Sequence, residues 1–89
     1  MTPLVTTTEA RVWGTSNSWS LERSGRSGEG QLCRVDLEIT GDPKTGFHLV
    51  VAPEGFFAAD TWHETQDQAL AEAGAAFGVR PDDWRTEPR

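Results

Sequence analysis

The chain has 89 residues, of which 14 are acidic and 8 are basic, and its formal net charge at pH 7 is −6. A chain of this length forms one small domain, and its 36% hydrophobic and 25% charged residues are typical of a globular protein. The negative balance argues against nucleic-acid binding, which needs a stripe of basic side chains, and against attraction to an anionic membrane. The one cysteine, Cys33, excludes an intrachain disulfide.

Both ends of the chain are predicted to be flexible, with a single domain over residues 9–84. Residues 1–8 are rich in threonine and lack the basic start and the apolar stretch of a secretory signal, so we expect a cytoplasmic protein. Residues 85–89 are predicted as a flexible C-terminus. The longest apolar run, residues 49–52, is far shorter than the roughly 20 residues that span a membrane.

Alternation of polar and apolar residues predicts the first two strands, over residues 9–13 and residues 18–22. Residues 24–30, which are rich in glycine and serine, predict a flexible connection. Its glycines precede a strand rather than a helix, and Glu29 would repel phosphate. We therefore interpret this segment as a long hairpin connection rather than a phosphate-binding loop.

The clearest strand signal lies in residues 33–40, where Cys33, Val35, Leu37 and Ile39 alternate with polar residues. This strict period of two predicts an antiparallel strand with one buried face.

A return strand is predicted over residues 47–51, with Phe47, Leu49 and Val51 on the same buried face. Residues 56–59 predict a short further edge strand.

One helix is predicted near the C-terminus. Thr65 and Gln68 form a capping box at its start, and Gly78 followed by Pro81 marks its end. The apolar stripe at helical spacing comprises Leu70, Ala73, Gly74 and Phe77. Together these elements predict an α+β domain, an antiparallel β-meander of about four strands packed by one C-terminal helix.

The residue types of a metal site occur before this helix. His63 and Glu64 resemble the beginning of the zinc motif His-Glu-x-x-His, although its second histidine is replaced by Asp67. Zinc needs three or four converging ligands, and Asp60, His63 and Glu64 would supply them only by local crowding. We predict no metal and no cofactor, and keep a small-ligand or metal-binding domain around Asp60, His63 and Glu64 as the alternative function.

No arrangement for catalysis is evident, so we predict that the chain is not an enzyme and has no catalytic residues. Ser24, Ser27 and Cys33 are nucleophiles by type, but the sequence positions no base beside them. Cys33 falls on the buried strand face and is interpreted as an inert core residue. His48 falls on the outward face of its strand, where we expect it to contact solvent.

Four tryptophans and no tyrosine make the aromatic composition unusual. Trp19 lies on a regular apolar face and is predicted to pack in the core. Trp62 and Trp84 flank the helix among acidic residues, so each is either a core residue or an anchor of a binding surface. Residues 81–84 predict a short turn that folds Trp84 back onto the domain.

The acidic residues are concentrated in the second part of the chain. The first 50 residues hold 5 basic and 6 acidic side chains, whereas the remaining residues hold 3 basic and 8 acidic ones. The segment from Glu54 to Glu72 contains five acidic residues and no basic one. This pattern indicates either a solvated helix face that keeps the protein soluble or an acidic patch that attracts a basic partner.

The segment from residue 46 to residue 84, less than half of the chain, resembles short uncharacterised bacterial proteins of actinobacterial type. The matching residues are Gly46-Phe47-His48, Pro53-Glu54-Gly55, the run Ala59-Asp60-Thr61-Trp62-His63-Glu64-Thr65, the helix end Phe77-Gly78-Val79, and Pro81-Asp82-Asp83-Trp84. Such proteins are similar in size and charge to the immunity proteins of bacterial toxin systems, a resemblance of class that implies no particular chemistry.

These observations predict a small non-enzymatic protein-binding module, immunity-like in class, that engages a basic partner protein through an acidic helix edge. The predicted partner-binding residues are Asp60, Trp62, Glu64, Asp67 and Trp84. We expect a monomer or a weak homodimer formed through an exposed sheet edge.

Overall fold

The polar–apolar alternation produces six strands in the computed structural model, which describes residues 3–21 and 30–86. The elements in chain order are β1 (Leu4–Thr15), β2 (Ser18–Ser20), β3 (Gln31–Asp42), β4 (Gly46–Pro53), β5 (Ala59–His63), α1 (Gln66–Phe77), a 3₁₀ turn (Pro81–Asp83) and β6 (Arg85–Thr86). In the described ranges, no helix is long and apolar enough to cross a membrane.

All strand pairs are antiparallel, in the order β2-β1-β3-β4-β5, and β6 pairs with the beginning of β1. The predicted α+β class with an antiparallel sheet and one helix is confirmed. The predicted number of strands, about four, was too low: β6, which pairs with β1, was not predicted, and the further edge strand is present as β5.

The first strand begins at Leu4 rather than at the predicted Glu9. The prediction of a flexible N-terminus over residues 1–8 is therefore wrong for residues 4–8, which pair with β3. The threonines and valine of this segment are β-branched and suit a pleated strand, and Thr6 is buried. The prediction of a flexible C-terminus over residues 85–89 is wrong for residues 85–86, which form β6. Residues 1–2 and 87–89 lie outside the described part of the chain.

The core lies between one face of the sheet and the helix. The predicted alternation of β3 is confirmed, and its partners on β4 cover the same face, with Leu49 opposite Ile39. The buried hydrophobic residues are Val12, Cys33, Val35, Leu37, Ile39, Phe47, Leu49, Ala69 and Ala73. Of the apolar residues predicted for β4, Val51 is half-buried and packs against this core.

The predicted helix and both of its ends are confirmed. Oγ1 of Thr65 accepts a hydrogen bond from the Gln68 amide at 3.1 Å, as predicted, but the Gln68 side chain accepts from the Glu64 amide at 3.0 Å and not from the Thr65 amide, so only one half of the predicted capping box forms. At the other end Gly78 takes the left-handed conformation with φ of 73°, and its amide donates to the Gly74 carbonyl.

One end of the sheet is held in a curve by contacts between distant loops. The Phe57 amide donates to the Ser16 carbonyl at 2.8 Å, and the Trp19 indole donates to the Phe57 carbonyl at 2.7 Å. These bonds bring the β1–β2 turn beside the β4–β5 connection. The edge strand predicted over residues 56–59 therefore begins only at Ala59, because Phe57 makes these hydrogen bonds to Ser16 and Trp19.

Candidate functional site

The strand β5 forms one side of the sheet. Among the described residues its backbone pairs with β4 alone, in a register that runs from Val51 opposite Ala59 to Phe47 opposite His63. Four of its five residues are exposed, and His63 is half-buried. In the part of the chain that the structure describes, the outward backbone groups of β5 thus have no pairing strand beside them.

The outer face of β5, away from the helix, carries an aromatic and an acidic side chain. Trp62 lies opposite His48, and Asp60 lies opposite Val50. Nδ1 of His48 is 2.9 Å from Oδ2 of Asp60, and both side chains are about half exposed, at 47% and 58%. An ion pair this exposed adds little stability, so its main effect is to orient the Asp60 carboxylate.

Trp62 is fixed in place although 56% of it is exposed. Its indole nitrogen donates to the Thr45 carbonyl at 3.0 Å, and its ring packs on Gly46, where any Cβ would overlap the indole. Gly46 has φ of +92°, a conformation that glycine adopts without strain. A large exposed aromatic held in one orientation is the type of residue that anchors a protein interface.

The acidic side chains continue from β5 into the first turn of the helix. Glu64 follows the strand, Asp67 lies in the first helical turn, and both are exposed. Four of the five predicted partner-binding residues, Asp60, Trp62, Glu64 and Asp67, therefore follow one another along β5 and the helix start. We call this surface the acidic edge.

The fifth predicted residue, Trp84, lies elsewhere. It is half-buried, packs against the hydrophobic core, and precedes β6, which pairs with Leu4 and Val5 of β1. The strands β3 and β4 separate β1 from β5. Trp84 therefore belongs to the packing of the domain and does not share a surface with Trp62.

The three residues considered for a metal do not converge. Alternation along β5 places Asp60 on the outer face and His63 on the helix side, where Nε2 of His63 lies 2.8 Å from Oγ1 of Thr61. Within residues 3–21 and 30–86, no group of three His, Cys, Asp or Glu side chains is arranged to hold a metal ion.

The candidate nucleophiles are either buried or not described. Cys33 lies in the core, as predicted; burial raises the pKa of its thiol, and the charge of Glu54 raises that pKa further. The predicted glycine- and serine-rich connection, with Ser24 and Ser27, lies outside the described residues except for Gly30.

An apolar slot on the helix side of β5 was not predicted from the sequence. It has a volume of about 180 Å³ and is lined by Trp19, Leu21, Leu49, Val51, Ala59, Asp60, Thr61, Glu72, Ala76 and Phe77. These residues come from β2 and its end, β4, β5 and α1, which are distant in sequence. Hydrophobic periodicity indicated that several of them were apolar, but only the curvature of the sheet brings the two sides of the slot together.

No protein-family model matches the chain, and comparisons with curated proteins and with solved structures give no match.

Proposed function

We propose that this chain is a small non-enzymatic protein-binding module that engages a basic partner protein through the acidic edge. The observation that carries the proposal is the exposed Trp62, which is held by Gly46 and Thr45 and lies in a chain segment that also bears the exposed acidic residues Asp60 and Glu64. Interfaces depend on such rigid aromatic anchors, and surrounding charges select the partner and increase the rate of encounter.

Two of the three carboxylates of the acidic edge, those of Glu64 and Asp67, have no ion-pair partner among the described residues. Within the described part of the chain, the ion pairs are Arg34–Asp36 and His48–Asp60. The chain carries no basic residue from Glu54 to Glu72. Unpaired surface carboxylates attract cationic partners over about a Debye length, roughly 10 Å at 0.1 M salt.

A non-enzymatic role is the simpler proposal, because the candidate nucleophile Cys33 is buried in the core with a raised thiol pKa. A small acidic binder of this type fits the immunity-like class in size and charge. The alternative around Asp60, His63 and Glu64 gains no support from the geometry, because Asp60 and His63 face opposite sides of β5.

Charge reversal tests the proposal. The double variant Glu64→Lys, Asp67→Lys changes the acidic edge, and the control Glu9→Lys, Asp82→Lys makes the same change in net charge at exposed positions elsewhere. Each protein is immobilised and incubated with native lysate at low salt, and the proteins that bind to it are quantified. We expect a basic protein that wild type and control retain and that the edge variant loses at least tenfold. Identical bound proteins for all three would overturn the proposal.

Trp62→Ala gives an independent test of the aromatic anchor. We expect the retained protein to bind at least tenfold more weakly, with thermal unfolding measured in parallel to show that the variant is folded. Unchanged affinity in a folded variant would contradict the role of Trp62.

A further inference from the structure

We infer that the partner binds by strand addition: an extended segment, in which basic and apolar side chains alternate, pairs with β5 and continues the sheet into the partner. This inference rests on the proposed function, because it specifies how the acidic edge makes contact.

The first step of the argument is the unpaired backbone of β5. In an antiparallel sheet, alternate residues of an edge strand direct their N–H and C=O groups away from the neighbouring strand. Proteins usually protect such edges with lysine, proline or short covering segments. The sequence of β5, Ala59-Asp60-Thr61-Trp62-His63, contains neither lysine nor proline, and in residues 3–21 and 30–86 no further strand pairs with it.

The second step is the position of the apolar slot. Three consecutive residues of β5, Ala59, Asp60 and Thr61, line it. Ala59 and Thr61 lie opposite Val51 and Leu49, so the slot lies on the helix-side face of β5, where alternate side chains of a strand added next to β5 would point. Its volume of about 180 Å³ exceeds the roughly 150 Å³ of an apolar cavity that holds benzene. An apolar side chain from an added strand therefore fits the slot.

The third step is the chemistry of the opposite face. Side chains of an added strand that point away from the helix would share the outer face with Asp60 and Trp62, which contact His48 and Gly46 of β4 and remain more than half exposed. A lysine or arginine there gains an opposite charge from Asp60 and a cation–π contact with the Trp62 indole. The two faces of β5 thus select opposite types of side chain, and a strand satisfies both because its side chains alternate.

A second copy of this chain is the less suitable occupant. Pairing two β5 strands would bring together two acidic edges, each bearing Asp60, Glu64 and Asp67, in proteins with net charges of −6. Like charges placed across a strand pair are destabilising.

The experiment uses a peptide that alternates lysine and valine, and two isomers of it that carry N-methyl groups either on every lysine amide or on every valine amide. The two sets of amides lie on opposite edges of an extended strand, so strand pairing tolerates methylation of one set and not of the other. Binding to the full chain is followed by amide chemical shifts and by titration.

We expect the unmodified peptide and one isomer to bind and to shift the amides of β5, while the other isomer binds at least tenfold more weakly. Equal binding of both isomers would overturn strand addition and leave the proposed function standing. Equal binding of the unmodified peptide to wild type and to Glu64→Lys, Asp67→Lys would instead overturn the proposed function. A dimer of wild type by sedimentation, with no peptide bound, would overturn the inference by assigning β5 to a second copy.

Two helix variants test the slot separately. Ala76→Leu fills the slot from the helix side and should weaken binding of the unmodified peptide at least tenfold. Ala71→Leu makes the same change at an exposed helix position that does not line the slot and should leave binding unchanged. Equal affinities for the two variants would overturn the role of the slot.

Discussion

The strands β1 and β5 lie on opposite sides of the central pair β3 and β4, but they are covered differently. Short strands pair with both ends of β1, with β6 beside Leu4 and Val5 and β2 beside residues 13–15, whereas β5 pairs with β4 alone among the described residues. Unprotected strand edges promote aggregation, so the difference between the two sides, within the part of the chain that the structure describes, is the reason we place the proposed binding surface on β5.

The two outer-face tryptophans show the same contrast. Trp13 at the end of β1 packs on Gly30 and is half-buried, while Trp62 on β5 packs on Gly46 and remains mostly exposed. Both rings are seated on a glycine with positive φ, so their orientation is set in the same way. Their exposure differs, so we expect Trp13 to contribute mainly to stability, whereas Trp62 is the residue that we propose for recognition.

The largest effect should come from a residue on which both sides of the sheet depend. Ile39 lies between Leu4 of β1 and Leu49 of β4 and is 1% exposed. Ile39→Ala should lower the free energy of unfolding by about 2–5 kcal/mol, measured by urea denaturation, because it leaves a cavity in the shared core. Amide protection in β1 and β5 should fall together. The control Glu38→Ala changes a half-buried residue on the opposite face of β3 and should change stability by less than about 0.5 kcal/mol; a similar loss in both variants would contradict a shared core.

A smaller effect is expected from the seat of Trp62. Gly46 and Gly55 have similar φ values, +92° and +88°, but a Cβ at Gly46 overlaps the Trp62 indole while one at Gly55 meets nothing within 4 Å. Gly55→Ala should cost about 1 kcal/mol through backbone strain, and Gly46→Ala about 1–3 kcal/mol more through steric overlap. Gly46→Ala should also change tryptophan fluorescence. Equal costs would show that Trp62 is not held by this contact.

The helix cap that follows β5 has a more modest expected effect. Thr65→Ala removes the acceptor of the Gln68 amide and should lower the free energy of unfolding by about 1 kcal/mol. Thr65→Ser keeps a hydroxyl and should retain most of the stability. The β1 amides should keep their protection against hydrogen exchange. A loss of protection in β1 rather than at the helix start would contradict the expectation that the cap acts only on the β5 side of the sheet.

The smallest effect concerns the β3–β4 turn beside Trp62. Amide hydrogen bonds from Thr45, then the Thr45 hydroxyl and the Lys44 amide, lower the pKa of Asp42 below its usual value of about 3.9. A lowered pKa in the folded state contributes stability at and above the unfolded pKa, and this contribution disappears as pH falls through the folded pKa.

Asp42→Asn should therefore be less stable than wild type at neutral pH, and the difference should shrink in acid, as measured by urea denaturation between neutral pH and about pH 2. Asparagine keeps an acceptor oxygen for the turn, so the variant isolates the charge. A difference that does not depend on pH would refute the effect.

Local signals predicted the parts of the fold that local chemistry determines. The alternation in Cys33 to Ile39 and the cap at Thr65 were confirmed, because strand period and helix capping depend on near neighbours in sequence. The beginning of β1 was missed because its threonines resemble a flexible terminus unless a partner strand is known. The clustering of Asp60, Trp62, Glu64 and Asp67 followed from their spacing, since β5 and α1 adjoin in sequence.

The remaining features depended on contacts between distant segments. The apolar slot forms only when Trp19 and Phe77 approach β5, and the assignment of Trp84 to the core depends on where β6 pairs. Tryptophan serves as a core or an interface residue with similar local sequence around it, so Trp62 and Trp84 are distinguished by burial rather than by pattern.

The pairing of Leu4 with Thr86 has a practical and an architectural consequence. It brings the two ends of the described chain together on the β1 side, with β3 and β4 between them and β5. A fusion partner, a surface anchor or a peptide linker that joins the ends in a circular permutant would therefore be attached away from β5. Such attachments should leave the open side of the sheet accessible from solution.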